Sequence, residues 1–192
     1  MTHIERACDL VLPSDQLPFV LEFGVAYGHT ICSIKDKLEG RGYEIYGFDS
    51  FEGLPEDWED KSHNRIVLPK GTFNLNGKMP EIDGVTLIKG WFEDTIPEFV
   101  KTTKDVALLH VDCDLYSSTK TVLYSLNNCI KPGTIIVFDE WYYLWSTEFT
   151  EHEQKCFYEW VRDCNRKFEF IEHVNDAETE PVAEQQIIRI LN

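Results

Sequence analysis

The sequence predicts an α/β fold: one doubly wound, seven-stranded, mostly parallel sheet whose last strand runs antiparallel. Three observations carry this. Strand-like and helix-like segments alternate along the chain. The strand-like runs are almost continuously apolar, as in a parallel sheet covered on both faces. The last two strands are joined only by the polar stretch "VNDAETEPVA", which has no crossover-helix pattern, so they should pair antiparallel.

In order, "PFVLEFG" (18–24) reads as the first strand and "HTICSIKDKLEGRG" (29–42) as a helix closed by Gly40 or Gly42. "YEIYGFD" (43–49), "GVTLIKG" (84–90) and "VALLHVD" (106–112) are the next three strands. "SSTKTVLYSLNNCI" (117–130) is a helix stopped by Pro132-Gly133, and "GTIIVFDEW" (133–141) is the fifth strand. The helix "EHEQKCFYEWVRDCN" (151–165) precedes the closing pair "KFEFIEH" (167–173) and "EQQIIRILN" (184–192). Residues 56–83 have no sustained period. A long irregular loop inside a domain is commonly a functional lid, so this one is expected to be a mobile cover. The 192 residues show no internal repeat and are expected to form one domain spanning 1–192.

Composition narrows the function. A net charge of −16 disfavours any grip on a phosphate backbone, so nucleic acid is not expected as a partner. No apolar run approaches membrane-spanning length, and the start "MTHIERACDL" lacks the basic and apolar regions of a secretory signal. The six cysteines are scattered singly, without metal-ligand spacing, and read as reduced thiols. A cytoplasmic protein acting on a small molecule is expected; the oligomeric state is not legible.

The first chemical signal is E-x-G-x-x-x-G at the end of strand one: Glu22, Gly24 and Gly28. Ligands in doubly wound sheets sit at the carboxyl ends of the strands. Glycines there let the backbone approach a ligand, and the following helix, near Thr30, offers unpaired N–H groups. A dinucleotide site would carry G-x-G-x-x-G instead; a carboxylate in this place disfavours phosphate and favours an amino-bearing ligand. Glu22 as a simple turn cap explains that motif equally well. Strand two then ends on Asp49, where an acid suits ribose hydroxyls. An amino acid attached to a nucleoside, such as S-adenosylmethionine, fits both acids.

Five blocks, "LEFGVAYGHT", "GFDSFEGLP", "KGWFEDTIP", "LHVDCDLYSSTKTVLYSL" and "PGTIIVFDEW", lie in the order found in macrocin-type (TylF-like) O-methyltransferases, and the chain resembles that family over roughly residues 18 to 141. The resemblance implies a Rossmann-like class I methyltransferase fold and S-adenosylmethionine as methyl donor. It implies cofactor contacts from Glu22, Gly24, Gly28 and Thr30, from Asp49, Ser50 and Phe51 at the ribose turn, and from Gly90, Trp91 and Phe92 near adenine. Trp91 and Phe92 read equally as core packing, and Asp94-Thr95 as a helix cap.

Strand four ends Asp112-Cys113-Asp114 and strand five Asp139-Glu140. On neighbouring strands these carboxylates would repel unless protonated or neutralised, and hard oxygen ligands suit magnesium or calcium. The resemblance implies a divalent metal, Mg2+ by preference, on Asp112, Asp139 and Glu140, with Asp112 also near the cofactor. Asp114 reads as a cap for the helix at Ser117. A bound cation would ease deprotonation of an acceptor hydroxyl, with Asp112 or His110 taking the proton. His110, inside an apolar strand, also reads as a core histidine. Trp141, Tyr142, Tyr143 and Trp145 could line an acceptor pocket or pack the domain. Two other functions fit parts of the pattern. Asp112-Cys113-Asp114 could hold a metal on a nucleotide sugar in a glycosyltransferase, and the fold could bind ligand without turnover.

Overall fold

The computed structural model describes residues 1–61, 64–102, 105–141, 151–171 and 185–192. Its frame is a seven-stranded sheet. In chain order the strands are β1 (Phe19–Phe23), β2 (Glu44–Asp49), β5 (Thr86–Lys89), β6 (Val106–Val111), β7 (Ile130–Phe138), β8 (Phe168–Phe170) and β9 (Gln186–Ile190). They lie in the order β5-β2-β1-β6-β7-β9-β8. All pairings from β5 to β7 are parallel, whereas β9 runs antiparallel to both β7 and β8. The predicted sheet, including the adjacency of its fourth and fifth strands and the antiparallel last strand, is the one observed.

The central strands are buried on both faces, which explains their unbroken apolar runs. Alternate residues of each strand feed two cores. On one face α1 (His3–Leu10) and α2 (His29–Leu38) pack Ile4, Cys8, Ile31 and Ile34 against Val20, Leu108, Ile135 and Val137. On the other, α3 (Phe92–Phe99), α4 (Tyr116–Ser125) and α5 (Glu153–Asp163) pack Ile96, Val122, Phe157 and Trp160 against Leu21, Phe23, Leu109 and Phe138.

Several local expectations give way. Helix α1 was not expected, although Thr2 and Glu5 form a reciprocal capping box at its start. β7 begins at Ile130 and runs through Pro132-Gly133, where the register against β6 shifts. At this irregularity the Thr134 hydroxyl donates to the Val106 carbonyl and accepts from the Lys131 N–H, so the proline's missing donor is locally accommodated. Asp94 and Thr95 do not cap α3. The helix starts earlier, at Phe92, and the Thr95 hydroxyl bonds back to the Trp91 carbonyl inside it. Asp114 does not cap α4 either: the helix begins at Tyr116 with Leu115 at its N-cap position.

The stretch 56–83 is less irregular than its composition suggests. It contains an antiparallel pair, β3 (Trp58–Asp60) and β4 (Arg65–Leu68). Trp58 is buried with Leu54 and Leu115, and Val67 and Leu68 pack against them. Backbone bonds between Leu54 and both Thr72 and Gly71 brace the base. Tyr142, Tyr143 and Trp145 lie outside the described residues; Trp141 is buried among Phe138, Phe157 and Phe170 and packs the domain.

Candidate functional site

The strand tips form one row. One step past the ladder, the N–H of Gly24 donates to the Phe48 carbonyl, that of Gly90 to Asp49, that of Asp112 to Phe23 and that of Asp139 to Val111, each at 2.9–3.0 Å. Register therefore carries residues far apart in sequence to one edge. There they surround a cavity of about 420 Å³, within the size range of small-molecule sites.

Gly24, at φ 96°, makes this close packing possible: a Cβ on it would stand 1.6 Å from the Asp112 carbonyl oxygen. No other residue fits there. Asp49 fixes the turn that follows. Its Oδ2 accepts from the N–H groups of Val25 (2.9 Å) and Ala26 (2.8 Å), and its Oδ1 from that of Phe51 (2.7 Å). Gly28, at φ 83°, caps α2 without a side chain, leaving His29 and Thr30 at the cavity wall.

Of the residues assigned to the cofactor, Gly24, Thr30, Asp49, Ser50, Trp91, Phe92 and Asp112 line this cavity. Glu22, Gly28, Phe51 and Gly90 stand behind the wall. Phe51 is fully buried at φ 58°, and its carbonyl anchors the amides of Leu75 and Gly77. Glu22 is 1% exposed and turns into the α2 side of the sheet. There the register pairs it with His110, whose Nδ1 lies 3.1 Å from Glu22 Oε2. Glu22 is thus a buried partner of a histidine and does not line the cavity.

His110, read both as a base and as a core histidine, sits in the core. It is fully buried, does not line the cavity, and sits between Glu22 and Asp139, with Nε2 3.6 Å from Asp139 Oδ1. That distance is an ion pair and too long for a hydrogen bond. Burial pulls the imidazole toward neutrality, but Asp139 and Glu22 outweigh it and hold His110 protonated well above its usual range. Asp139 is correspondingly lowered. Burial would raise it, and His110, then the amide of Gln185, overcome that.

The remaining carboxylates are not so compensated. Burial and then the charge of Asp139 push Asp112 well above the ordinary carboxylate range. The same two causes raise Asp114 to about 7. Asp114 also stands at φ 61° on the cavity wall, a strained backbone for a residue with a side chain. Glu140 is raised by burial and by Glu153, a fully buried acid that sequence reasoning passed over inside its helix.

A divalent cation suits this donor set. Among the described residues, one trio brings side-chain N and O atoms within 4.8 Å of one another, His110, Asp112 and Asp139; with His110 protonated, its ring has no lone pair to give, and the two carboxylates are the donors. Asp112 and Asp139 are two of the three expected ligands; Glu140 lines the cavity but is outside the trio, and one of its buried oxygens has no hydrogen-bond partner. Too many buried carboxylates share the site with one imidazolium, and a hard cation would relieve their repulsion.

The profile of the Macrocin-O-methyltransferase (TylF) family matches residues 1–155, wider at both ends than the five sequence blocks. The 8-demethyl-8-(2,3-dimethoxy-alpha-L-rhamnosyl)-tetracenomycin-C 4'-O-methyltransferase of Streptomyces olivaceus is 29% identical over 73% of this chain. The demethyldecarbamoylnovobiocin O-methyltransferase of Streptomyces niveus is 24% identical over the same share. The chain spans 59% of the length of each of these relatives. Among solved structures, the calicheamicin methyltransferase CalS11 superposes with a TM-score of 0.69 at 18% identity, over 97% of this chain and 76% of that one. It shares the fold.

Proposed function

Because the chain belongs to the Macrocin-O-methyltransferase (TylF) family, we propose that it is an S-adenosylmethionine-dependent O-methyltransferase, methylating a hydroxyl of a small molecule such as a sugar or natural product with help from a divalent metal. One observation carries the reading. A single cavity joins the glycine turn of β1, the Asp49 turn of β2 and the Asp112–Asp139 pair. The names of the relatives, O-methyltransferases of a rhamnosyl-tetracenomycin C and of demethyldecarbamoylnovobiocin, support the acceptor class.

In this reading Gly24, Thr30, Asp49, Ser50, Trp91 and Phe92 hold S-adenosylmethionine, which supplies an electrophilic methyl group when bound. Asp112 and Asp139 hold the cation, with Glu140 beside them; a bound cation lowers the cost of deprotonating a hydroxyl. The strand tips align acceptor and donor, and alignment is most of what methyl transfer requires of a protein. Asp112 and Asp114 are the carboxylates facing the cavity that can take the proton. The loop after β2 contributes Leu54, Pro55 and Phe73 to the wall and covers that side of the cavity. No helix among the described residues is long and apolar enough to cross a membrane.

A metal-dependent glycosyltransferase is the competing reading. It must hold a nucleotide diphosphate, yet the described lining has no Lys or Arg and includes Asp49, Glu93, Asp112, Asp114, Asp139 and Glu140. Incubation with S-adenosylmethionine, Mg2+ and a panel of glycosides and phenols, read by mass spectrometry, tests the choice. A gain of one methyl, lost in chelator, is expected. Transfer at full rate in excess chelator rules out the metal-assisted route, and stabilisation by nucleotide sugars in place of S-adenosylhomocysteine rules out the methyltransferase.

A further inference from the structure

The β6–β7 ladder ends where the Asp139 N–H meets the Val111 carbonyl. The backbone donors just beyond that rung, Cys113 N–H on one tip and Glu140 N–H on the other, both meet the carboxylate of Glu153. Oε2 accepts from Glu140 at 3.1 Å and Oε1 from Cys113 at 3.5 Å. These donors belong to the residues immediately after Asp112 and Asp139, two members of the trio within 4.8 Å.

Glu153 opens α5 and is fully buried. The helix's positive end favours a carboxylate in that position. Its other neighbours do not: Asp112, Asp114 and Asp139 all oppose its charge. An apolar side chain would fill the volume without that repulsion. What a carboxylate offers is two oxygens on one rigid group, set against two N–H donors, one buried and one half-buried.

We propose that Glu153 is a positioning residue: it clamps the tips of β6 and β7 together, fixes the separation of Asp112 and Asp139, and thereby sets the site's affinity for a divalent cation. The inference rests on the metal-assisted reading above and adds to it a residue that touches neither acceptor nor cofactor.

Glu153→Asp and Glu153→Gln separate position from charge. The aspartate keeps the charge but is one methylene too short to reach both donors; the glutamine keeps the length but loses the charge and one acceptor. Mn2+ titration of the purified protein, followed by the metal's paramagnetic resonance, should show affinity falling about tenfold or more in Glu153→Asp, as when other outer partners of metal ligands are removed. S-adenosylhomocysteine affinity should stay within about twofold, and amide exchange at Cys113 and Glu140 should accelerate. Wild-type Mn2+ affinity in Glu153→Asp, with a loss confined to Glu153→Gln, reduces the residue to a local charge and overturns the proposal. If Glu153→Asp does not fold, wild-type exchange decides. Cys113 and Glu140 amides protected like that of Asp139 support the clamp, and fast exchange there overturns it. Failure of the underlying reading shows in the wild type alone. Binding of S-adenosylhomocysteine without Mn2+ removes the metal and the clamp's role with it, whereas binding of neither removes the methyltransferase itself.

Discussion

Asp49 accepts three backbone N–H groups, two across the glycine turn and one in its own. A residue read from sequence as a ribose partner therefore also holds the turn in shape. Asp49→Ala leaves three donors without an acceptor and should cost about 1–3 kcal/mol of folding stability as well as cofactor affinity. Urea denaturation together with calorimetry against S-adenosylhomocysteine checks both; a loss of affinity at unchanged stability would make it a ribose contact only. His110 is the opposite case, a charge enclosed by the fold. His110→Ala strands the buried Glu22 without its charge partner, and breaking such a buried pair typically costs about 3–5 kcal/mol. The double variant Glu22→Gln/His110→Ala should recover part of that loss. A cycle with no coupling would show that the two side chains do not form a charge pair. The sequence offered His110 as a core histidine but hid its partner, and it hid the turn-holding role of Asp49. Glu22 and His110 are 88 positions apart, and only the register of β1 against β6 sets them side by side.

At the scale of elements, the hairpin β3–β4 is tied to the body through His152. Its Nδ1 accepts the Tyr116 N–H at 3.3 Å and its Nε2 meets the Glu59 carbonyl at 2.9 Å, which together assign the hydrogen to Nε2. Protonation at Nδ1 would remove one of these bonds. Burial, and to a smaller extent Lys61, lowers His152 below its ordinary 6.5, while the Glu59 carbonyl, Glu151 and Glu56 oppose the shift. A lowered histidine contributes its stabilisation above 6.5, and that contribution falls as pH drops below this value, because the unfolded chain takes up the proton first. Exchange of the hairpin amides, corrected for intrinsic pH dependence, should therefore accelerate below pH 6.5 in the wild type and lose that dependence in His152→Gln. An unchanged profile in the variant would place the anchor elsewhere. The sequence disclosed the large elements because period and burial write directly onto residue type. It hid this hairpin, whose few apolar residues pack on Leu54 and Leu115 outside the main cores and leave no periodic trace. It also hid the true start of β7, because Pro132 reads locally as a stop while a register shift against β6 accommodates it.

For the molecule as a whole, the strand tips trade stability for a site. Asp112, Asp114 and Glu140 at the tips, and Glu22 and Glu153 behind them, are all raised, each by burial first, whereas Asp139 is lowered. Acids raised in the folded state bind more protons there than in the unfolded chain, so the metal-free protein should lose stability as pH rises from about 4 through the value near 7 of Asp114. His110, raised and protonated, acts in the same direction at higher pH. Thermal melts in chelator should therefore fall between pH 6 and 8.5, and Mg2+ should restore the alkaline melts, since a cation bound at one hundred times its dissociation constant contributes about 2.7 kcal/mol. Melts that ignore both pH and Mg2+ would deny the cluster its cation. The row of tips was legible in the sequence because every strand of the parallel set ends on, or is followed at once by, a glycine or an acid. The sorting of those acids between cavity wall and ion pair was not, since it depends on which face each side chain takes. If this row holds S-adenosylmethionine, calorimetric titration of the wild-type chain with S-adenosylhomocysteine should give saturable one-to-one binding that Asp49→Ala weakens. A folded wild-type chain that takes up no S-adenosylhomocysteine would show that the row is not a cofactor site.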